Sequence, residues 1–144
     1  MCYQHLHSTE ITTADCVLSY ITGGHAVIAL VNEHPYHKQV TYKFIAQDNR
    51  LYVYYWHNSA WCALAYVEHL SSVYGVSTLP KDSPLVRGLA YILRVVNTQQ
   101  MNPNMHIYHY NRCCACGRQL TTPKAKLRGM GRKCEQRRNH VVEE

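Results

Sequence analysis

The sequence predicts an α+β fold: a four-strand antiparallel meander with packed helices, followed by a small cysteine-rich C-terminal module. Three observations predict it. Residues 25–68 alternate between apolar segments and short polar turns, residues 83–96 have helical periodicity, and three cysteines fall within residues 113–116. We expect an α+β body over residues 1–105 and a separate module over residues 106–144. A chain of 144 residues is long enough to bury a core.

A short helix is predicted first, over ADCVLSYI at residues 14–21. Thr13 can cap it, because a threonine side chain accepts a hydrogen bond from a free N–H of the first helical turn. The pair Gly23-Gly24 is predicted to end it, because glycine adopts the left-handed conformation of a helix C-terminal cap.

Four strands follow, separated by turns at residues 32–38, 47–50 and 58–60. They are rich in β-branched and aromatic residues, which favour extended structure. Side chains alternate between the two faces of a strand, so Tyr42 and Phe44 share one face, and Tyr52, Tyr54 and Trp56 share another. The predicted strands are HAVIALV (25–31), QVTYKFIA (39–46), LYVYYWH (51–57) and WCALAYVE (61–68).

The chain contains twelve tyrosines, several of them in these strands. They would form a stacking platform for nucleic-acid bases if they lay together on an uncovered face. They would equally suit a sheet whose outer face simply meets water. The second interpretation is favoured, because the sequence does not fix which face is exposed.

A second helix is predicted from Pro84, with Ser83 as its cap. Its apolar residues recur at helical spacing and mark one buried face: Leu85, Leu89, Ile92, Leu93 and Val96. After the polar residues 97–104, HIYHY predicts a short strand that leads into the cysteines.

The positive charge of the chain is confined to its last quarter. The formal net charge is +6, and residues 111–144 carry nine Lys or Arg against three acids, whereas residues 1–110 are neutral. Such a surface attracts phosphate backbones or an acidic protein surface. A merely solvated charged face is the plainer alternative. The candidate nucleic-acid-binding residues are Arg118, Lys124, Lys126, Arg128, Arg132, Lys133, Arg137 and Arg138.

Seven cysteines without a recognisable secretory signal predict a reducing, cytoplasmic location, where clustered thiols bind metal more often than they form disulfides. No apolar run approaches the ~20 residues that a membrane-spanning helix requires, so no membrane association is expected.

A zinc site is predicted from Cys113, Cys116 and Cys134. The first two have the C-x2-C spacing that lets both sulfurs converge on one ion, and Gly117 allows the turn that follows. Cys134 follows the sequence GMGR and would lie near the start of a last helix. The helix N-terminus would favour its thiolate form.

The fourth ligand is a choice among three residues. His109 lies four residues before Cys113 and is favoured by geometry. His140 would lie about 240° around a continuous helix from Cys134. Cys114 adjoins Cys113, so its side chain should point away. We therefore expect one structural Zn²⁺ bound by His109, Cys113, Cys116 and Cys134, with no position left for water.

The segment HYNRCCACGRQLTTPKAKLRGMGRKC resembles a family of uncharacterised zinc-binding proteins common in bacteriophages and actinobacteria. Their pattern is H-x3-C-x2-C-G-R-x-L-T-x-P-x-S followed by G-I-G-P-x-C. The chain departs from it at Ala125, Met130 and Arg132, which are not ligands. The resemblance extends weakly upstream and implies a zinc-bearing, phage-type protein in the host cytoplasm, without an activity. The matching residues are His109, Cys113, Cys116, Gly117, Arg118, Leu120, Thr121, Pro123, Gly129, Gly131 and Cys134.

Two functions are expected. The first is a small non-enzymatic protein that binds DNA or RNA through the basic module. The alternative is a protein-binding regulator or inhibitor of a host enzyme or defence factor. An enzyme is not expected, because the sequence has no phosphate-binding loop, no G-x-S-x-G and no paired carboxylates.

Overall fold

A computed structural model describes residues 8–33 and 38–143. These residues form seven strands and four helices. The strands are β1 (Thr9–Ile11), β2 (His25–Asn32), β3 (Lys38–Gln47), β4 (Arg50–His57), β5 (Ala60–Glu68), β6 (Ser72–Gly75) and β7 (Met105–His109). The helices are α1 (Ala14–Ile21), α2 (Pro84–Thr98), α3 (Pro123–Arg128) and α4 (Arg132–Glu143).

The predicted α+β class is confirmed, but the sheet is larger than the predicted four-strand meander. The strands lie in the order β1-β7-β2-β3-β4-β5-β6, and every neighbouring pair is antiparallel. The four predicted strands correspond to β2 through β5, and the structure adds a strand at one side and two at the other. β1 and β6 contain three and four residues, too few to show a periodic pattern in the sequence.

β7 was predicted as a strand, and the structure places it inside the sheet, between β1 and β2. Ile107 lies opposite Leu30 of β2 and Ile11 of β1. The predicted domain boundary at 105/106 therefore coincides with the start of a strand that belongs to the sheet of the body.

Two of the three predicted turns contain residues in left-handed conformations, and the third, at residues 32–38, lies mostly outside the described residues. Asp48 and Asn49 have φ of 54° and 62°, and Asn58 and Ser59 have φ of 50° and 62°. Positive φ at both central residues is the geometry of a type I′ turn, which matches the twist of the flanking strands. These turns fix the register of β3, β4 and β5.

The caps of the first two helices are confirmed. The Thr13 hydroxyl accepts a hydrogen bond from the Cys16 N–H at 3.2 Å, and the Ser83 hydroxyl accepts one from the Val86 N–H at 3.2 Å. α1 ends at Ile21, with Thr22 as its C-cap and the positive φ of 122° at Gly24. Within the described residues, no helix is long and apolar enough to cross a membrane.

The helices pack on one face of the sheet. Tyr42 and Phe44 are fully buried on this helix-side face, and the Tyr42 hydroxyl donates to the Leu85 carbonyl of α2 at 2.6 Å. Gly88 of α2 allows this close approach, because a Cβ there would lie 2.3 Å from the same hydroxyl.

The other face of β3, β4, β5 and β6 carries aromatic rings. Lys43 and Tyr54 lie opposite each other there, as do Tyr52 and Tyr66, and Trp56 and Trp61. We call this surface the aromatic face; it consists of Lys43, Arg50, Tyr52, Tyr54, Trp56, Trp61, Tyr66 and Tyr74.

Candidate metal centre

A tight loop over residues 111–120 positions the first two cysteines. The Cys113 N–H donates to the Arg118 carbonyl at 2.8 Å, and the Gly117 N–H donates to the Cys113 carbonyl at 2.9 Å. Gly117 has φ of 77°, a left-handed conformation that glycine adopts without strain. The loop closes where the Leu120 N–H bonds to the Asn111 carbonyl at 2.7 Å. Cys113 and Cys116 therefore lie on the same short turn.

Two helices, α3 and α4, position the third cysteine, Cys134. α3 begins at Pro123 with Thr122 as its N-cap and ends at Arg128, with Gly129 as its C-cap at φ of 70°. A Cβ on Gly129 would lie 2.4 Å from the ring of Tyr20, so glycine permits contact as well as the turn. α4 starts at Arg132 and Cys134 is its third residue, so this cysteine lies near the start of the last helix, as predicted.

The thiols of Cys113, Cys116 and Cys134 form a compact cluster. The sulfurs of Cys113, Cys116 and Cys134 all lie within 4.8 Å of one another. Sulfurs bound to one zinc at about 2.3 Å in tetrahedral geometry would be separated by about 3.8 Å, so only a small closure is needed. Cys113 is buried and Cys116 is exposed, which places the group at the surface of the module. These three cysteines can hold a metal ion.

The Cys113 sulfur accepts two backbone hydrogen bonds, from Ala115 and Gly131, each at 3.4 Å. Burial raises the pKa of Cys113, but hydrogen bonds from the N–H groups of Gly131, Cys116 and Ala115 outweigh it and lower the pKa to about 7. The loop thus stabilises the thiolate, which is the form that binds metal.

The pKa of Cys134 shifts the other way. Partial burial and the neighbouring thiols of Cys116 and Cys113 raise it to about 11. A thiolate at Cys134 would be repelled by the thiolate of Cys113, and this repulsion contributes to the raised pKa of Cys134. A cation among the sulfurs would remove that repulsion and favour three thiolates, so the donor set fits a thiophilic metal.

Cys114 lies outside the group. Its side chain is fully buried against Gly23, where an added Cβ would lie 2.4 Å from the sulfur. Burial raises the pKa of Cys114 to about 12, so this thiol stays protonated. Its backbone contributes more than its sulfur, because the Cys114 carbonyl accepts from the His25 N–H at 2.6 Å and ties the loop to β2.

His109, the predicted fourth ligand, is not among the thiols. It lies on the helix-side face of β7, opposite Ile28, and only 1% of it is exposed. Nε2 donates to the Lys126 carbonyl at 2.7 Å, and Nδ1 accepts from the Asn111 N–H at 3.1 Å. To bind metal, the ring would have to give up one of these bonds.

The environment of His109 favours a neutral ring. Burial lowers its pKa, against the opposing effect of the hydrogen bond to Lys126. The ring also stacks on Tyr20 of α1, with centroids 4.9 Å apart. The spacing H-x3-C suggested a ligand, but in the structure both ring nitrogens bond to backbone groups, the Lys126 carbonyl and the Asn111 N–H. The sequence spacing does not encode these partners, because they depend on where α3 lies relative to β7. His140, the alternative ligand, lies within α4, and its side chain is outside the described part.

Two of the predicted nucleic-acid-binding arginines make contacts within the protein. Arg128 forms an ion pair with Glu135. Arg138 donates to the Ser19 carbonyl at 3.1 Å, the Ser19 hydroxyl at 3.2 Å and the Thr22 hydroxyl at 3.3 Å. Arg138 therefore fastens α4 to α1.

The other six predicted residues have no carboxylate within ion-pair distance among the side chains that the structure describes. Glu135 is the one acid between residues 111 and 138, and it pairs with Arg128. All but Lys126 are exposed, and Lys126 is half-buried. The six are Arg118, Lys124, Lys126, Arg132, Lys133 and Arg137.

The module and the aromatic face lie on opposite sides of the sheet. His109, Ile28 and Tyr42 occupy one row on the helix-side face, and His109 contacts α3. Lys43, which follows Tyr42, points to the other side with Tyr54. The basic residues and the exposed rings thus form two surfaces.

Comparison with known proteins is informative only for the module. No curated protein and no solved structure is significantly similar to the chain. Residues 104–139, about a quarter of the chain, match a family of unknown function, DUF6011, and this match contains all three clustered cysteines.

Proposed function

We propose that this chain is a non-enzymatic protein that binds nucleic acid through a basic C-terminal module organised by one zinc ion. The observation that supports it best is the set of six cations without a carboxylate partner among the described side chains, in the same module as the three convergent thiols. The phage-type setting and the host-cell cytoplasm, both implied by the resemblance, belong to this proposal.

The zinc would have a structural role. It would join the loop of residues 113–117 to the first turn of α4, a treble-clef-like arrangement of a knuckle followed by a helix. Among the described side chains, α4 is also attached through the hydrogen bonds of Arg138 to Ser19 and through the ion pair of Glu135 with Arg128. Metal would therefore fix the orientation of Arg132, Lys133 and Arg137, which lie on α4.

Zinc binding is tested on the full chain by elemental analysis after loading with Zn²⁺ under reducing conditions and dialysis to remove unbound metal. We expect one zinc per chain, and loss of it on replacing Cys116 with serine. Substituting Co²⁺ for Zn²⁺ provides a second readout. The intensity of the thiolate-to-cobalt charge-transfer absorption reports the number of sulfur ligands. A chain that takes up no zinc under reducing conditions would contradict the proposal.

Nucleic-acid binding is tested by its salt dependence. If all six cations contact phosphates, the slope of log K against log salt concentration should be about −5 for duplex DNA. Binding that does not change with salt would contradict the proposed contacts, since each released counterion contributes to the slope.

A protein partner is the alternative for the same surface. The cations would then meet an acidic surface of a host enzyme or defence factor. Capture from lysate in the presence of nuclease separates the two: a partner retained after nuclease treatment, together with no measurable DNA or RNA affinity, would favour the alternative.

A further inference from the structure

The aromatic face has no helix over it among the described residues, because α1 and α2 both pack on the other side of the sheet. Trp56 is 49% exposed and Tyr74 is 46% exposed, and both are among the most exposed large apolar side chains described. Rings of this size are normally buried, so a cluster of them at the surface indicates an interaction site.

The rings form two groups. Trp56 and Trp61 make an edge-to-face pair with centroids 5.1 Å apart. Tyr66 and Tyr74 are stacked at 5.0 Å with an interplanar angle of 17°, and Tyr52 lies 6.1 Å from Tyr66.

Between the two groups lies a cation. The Lys43 ammonium is 5.2 Å from the ring centre of Tyr54 and 4.8 Å from that of Trp61. Within the described side chains it has no carboxylate partner. Arg50, at the far end, lies over Tyr66 at 4.7 Å and pairs with Glu68 at 3.3 Å. Lys43 is therefore the cation that remains available to an anionic ligand.

We propose that the aromatic face binds single-stranded nucleic acid by base stacking, with Lys43 contacting a phosphate. Tyr52, Tyr54 and Trp56 are alternate residues of β4, so their rings recur about every 7 Å along the strand. An extended single strand can place successive bases on such a row, as other sheet surfaces do. A duplex cannot, because its base faces are stacked on each other.

Charge favours this ligand over a neutral glycan, which also stacks on aromatic rings. A glycan would leave Lys43 without a counter-charge, whereas each nucleotide brings a phosphate beside its base. The proposal concerns a surface on the opposite side of the sheet from the basic module, and it stands whether or not the module binds nucleic acid.

The protein offers a direct probe of this surface. It contains two tryptophans, Trp56 and Trp61, and both lie on the aromatic face. Tryptophan fluorescence of the zinc-loaded full chain therefore reports this face alone. We expect oligothymidylate and oligouridylate to quench it at low salt, and a duplex of equal length to leave it nearly unchanged. Comparing the two single strands distinguishes DNA from RNA as the preferred ligand.

Variants test the assignment. Trp56→Ala and Tyr74→Ala remove exposed rings, and each should weaken single-strand affinity about tenfold, measured by anisotropy of a labelled oligonucleotide. Lys43→Gln should weaken it and reduce the salt slope by about 0.7. Lys81→Gln is the matched control, since Lys81 is an exposed lysine on the loop after β6 and makes the same charge change. Circular dichroism would show that each variant is folded.

Three results would overturn the proposal. One is the absence of quenching by any single strand at low salt. Another is quenching by a neutral oligosaccharide in preference to oligonucleotides. The third is a fluorescence change with protein concentration alone, accompanied by a dimer mass in sedimentation, which would assign the face to a second copy. The proposed function of the basic module is tested separately, by duplex DNA binding and the slope of its affinity against salt concentration.

Discussion

The Nε2 atom of His109 donates a hydrogen bond of 2.7 Å to the backbone carbonyl of Lys126. This bond joins the last strand of the sheet to the helix that leads toward the third clustered cysteine. It also occupies one of the two nitrogens that could coordinate zinc, while the Asn111 N–H occupies the other at 3.1 Å. In this geometry His109 stabilises the position of α3 and would not contact the metal.

Replacing His109 with phenylalanine should therefore lower the free energy of unfolding while the folded variant keeps its zinc. The change keeps a ring against Tyr20 but leaves the buried Lys126 carbonyl and Asn111 N–H without partners, at about 1–3 kcal/mol each. Urea denaturation and zinc stoichiometry measure the two effects. A folded His109→Phe variant that binds less zinc than the unmodified protein, and whose Co²⁺-loaded form has an altered absorption spectrum, would instead show that His109 is the fourth ligand.

The neighbouring cysteines Cys116 and Cys114 should respond oppositely. Cys116→Ser should abolish tight zinc binding, because it removes one of three convergent sulfurs. Cys114→Ala should retain one zinc per chain, because that sulfur points into the core against Gly23. Elemental analysis decides between them, and zinc loss in folded Cys114→Ala protein would contradict the assignment.

Gly23 should not tolerate a side chain. Gly23→Ala would place a Cβ 2.4 Å from the Cys114 sulfur and 2.9 Å from its carbonyl oxygen, so the loop must shift. We expect a loss of about 1–3 kcal/mol in the free energy of unfolding. Gly75→Ala is the control, since nothing lies within 4 Å of its added Cβ. Equal effects of the two substitutions would disprove this packing argument.

Arg137 and Arg138 are adjacent, yet replacing Arg137 should affect DNA binding and replacing Arg138 should affect stability. Arg137→Gln should leave stability nearly unchanged and reduce the salt slope for duplex DNA by about 0.9. Arg138→Gln should lower stability, because it removes the hydrogen bonds that fasten α4 to Ser19 and Thr22. Thermal denaturation and salt titration on both variants test this, and an identical pattern for the pair would refute it.

The imidazole of His106 bridges two carboxylates, with Nδ1 2.7 Å from Glu10 and Nε2 2.9 Å from Glu33. The hydrogen bond to Glu10, followed by the charges of both acids, raises the pKa of His106 above its usual value. The protonated ring, which donates to both, thus stabilises the folded state.

This contribution should be present below about pH 6.5 and be lost as pH rises through the higher pKa of the folded protein. His106→Gln should flatten that part of the profile. Urea midpoints of the two proteins, compared at each pH, isolate the effect from the thiols. A difference between them that does not vary with pH would show that the bridge is not ionic.

Much of the body could be predicted from the sequence, because its signals are local. The Ser83 cap with Pro84 and the alternation of β3 and β4 depend on neighbouring residues only, and all of these features are found. The cysteine spacing is similarly informative, since C-x2-C places two sulfurs on one turn wherever that turn lies.

The sequence alone thus determined the α+β class, two capped helices, five of the strands (β2 to β5 and β7) and the identity of three thiols. Tertiary structure decided what surrounds them. The insertion of β7 between β1 and β2 turned His109 toward the helices, and the packing of α1 and α2 on one face left Trp56 and Tyr74 exposed on the other. Both outcomes depend on which strands pair and on which side helices pack, and these are long-range contacts that no local pattern encodes.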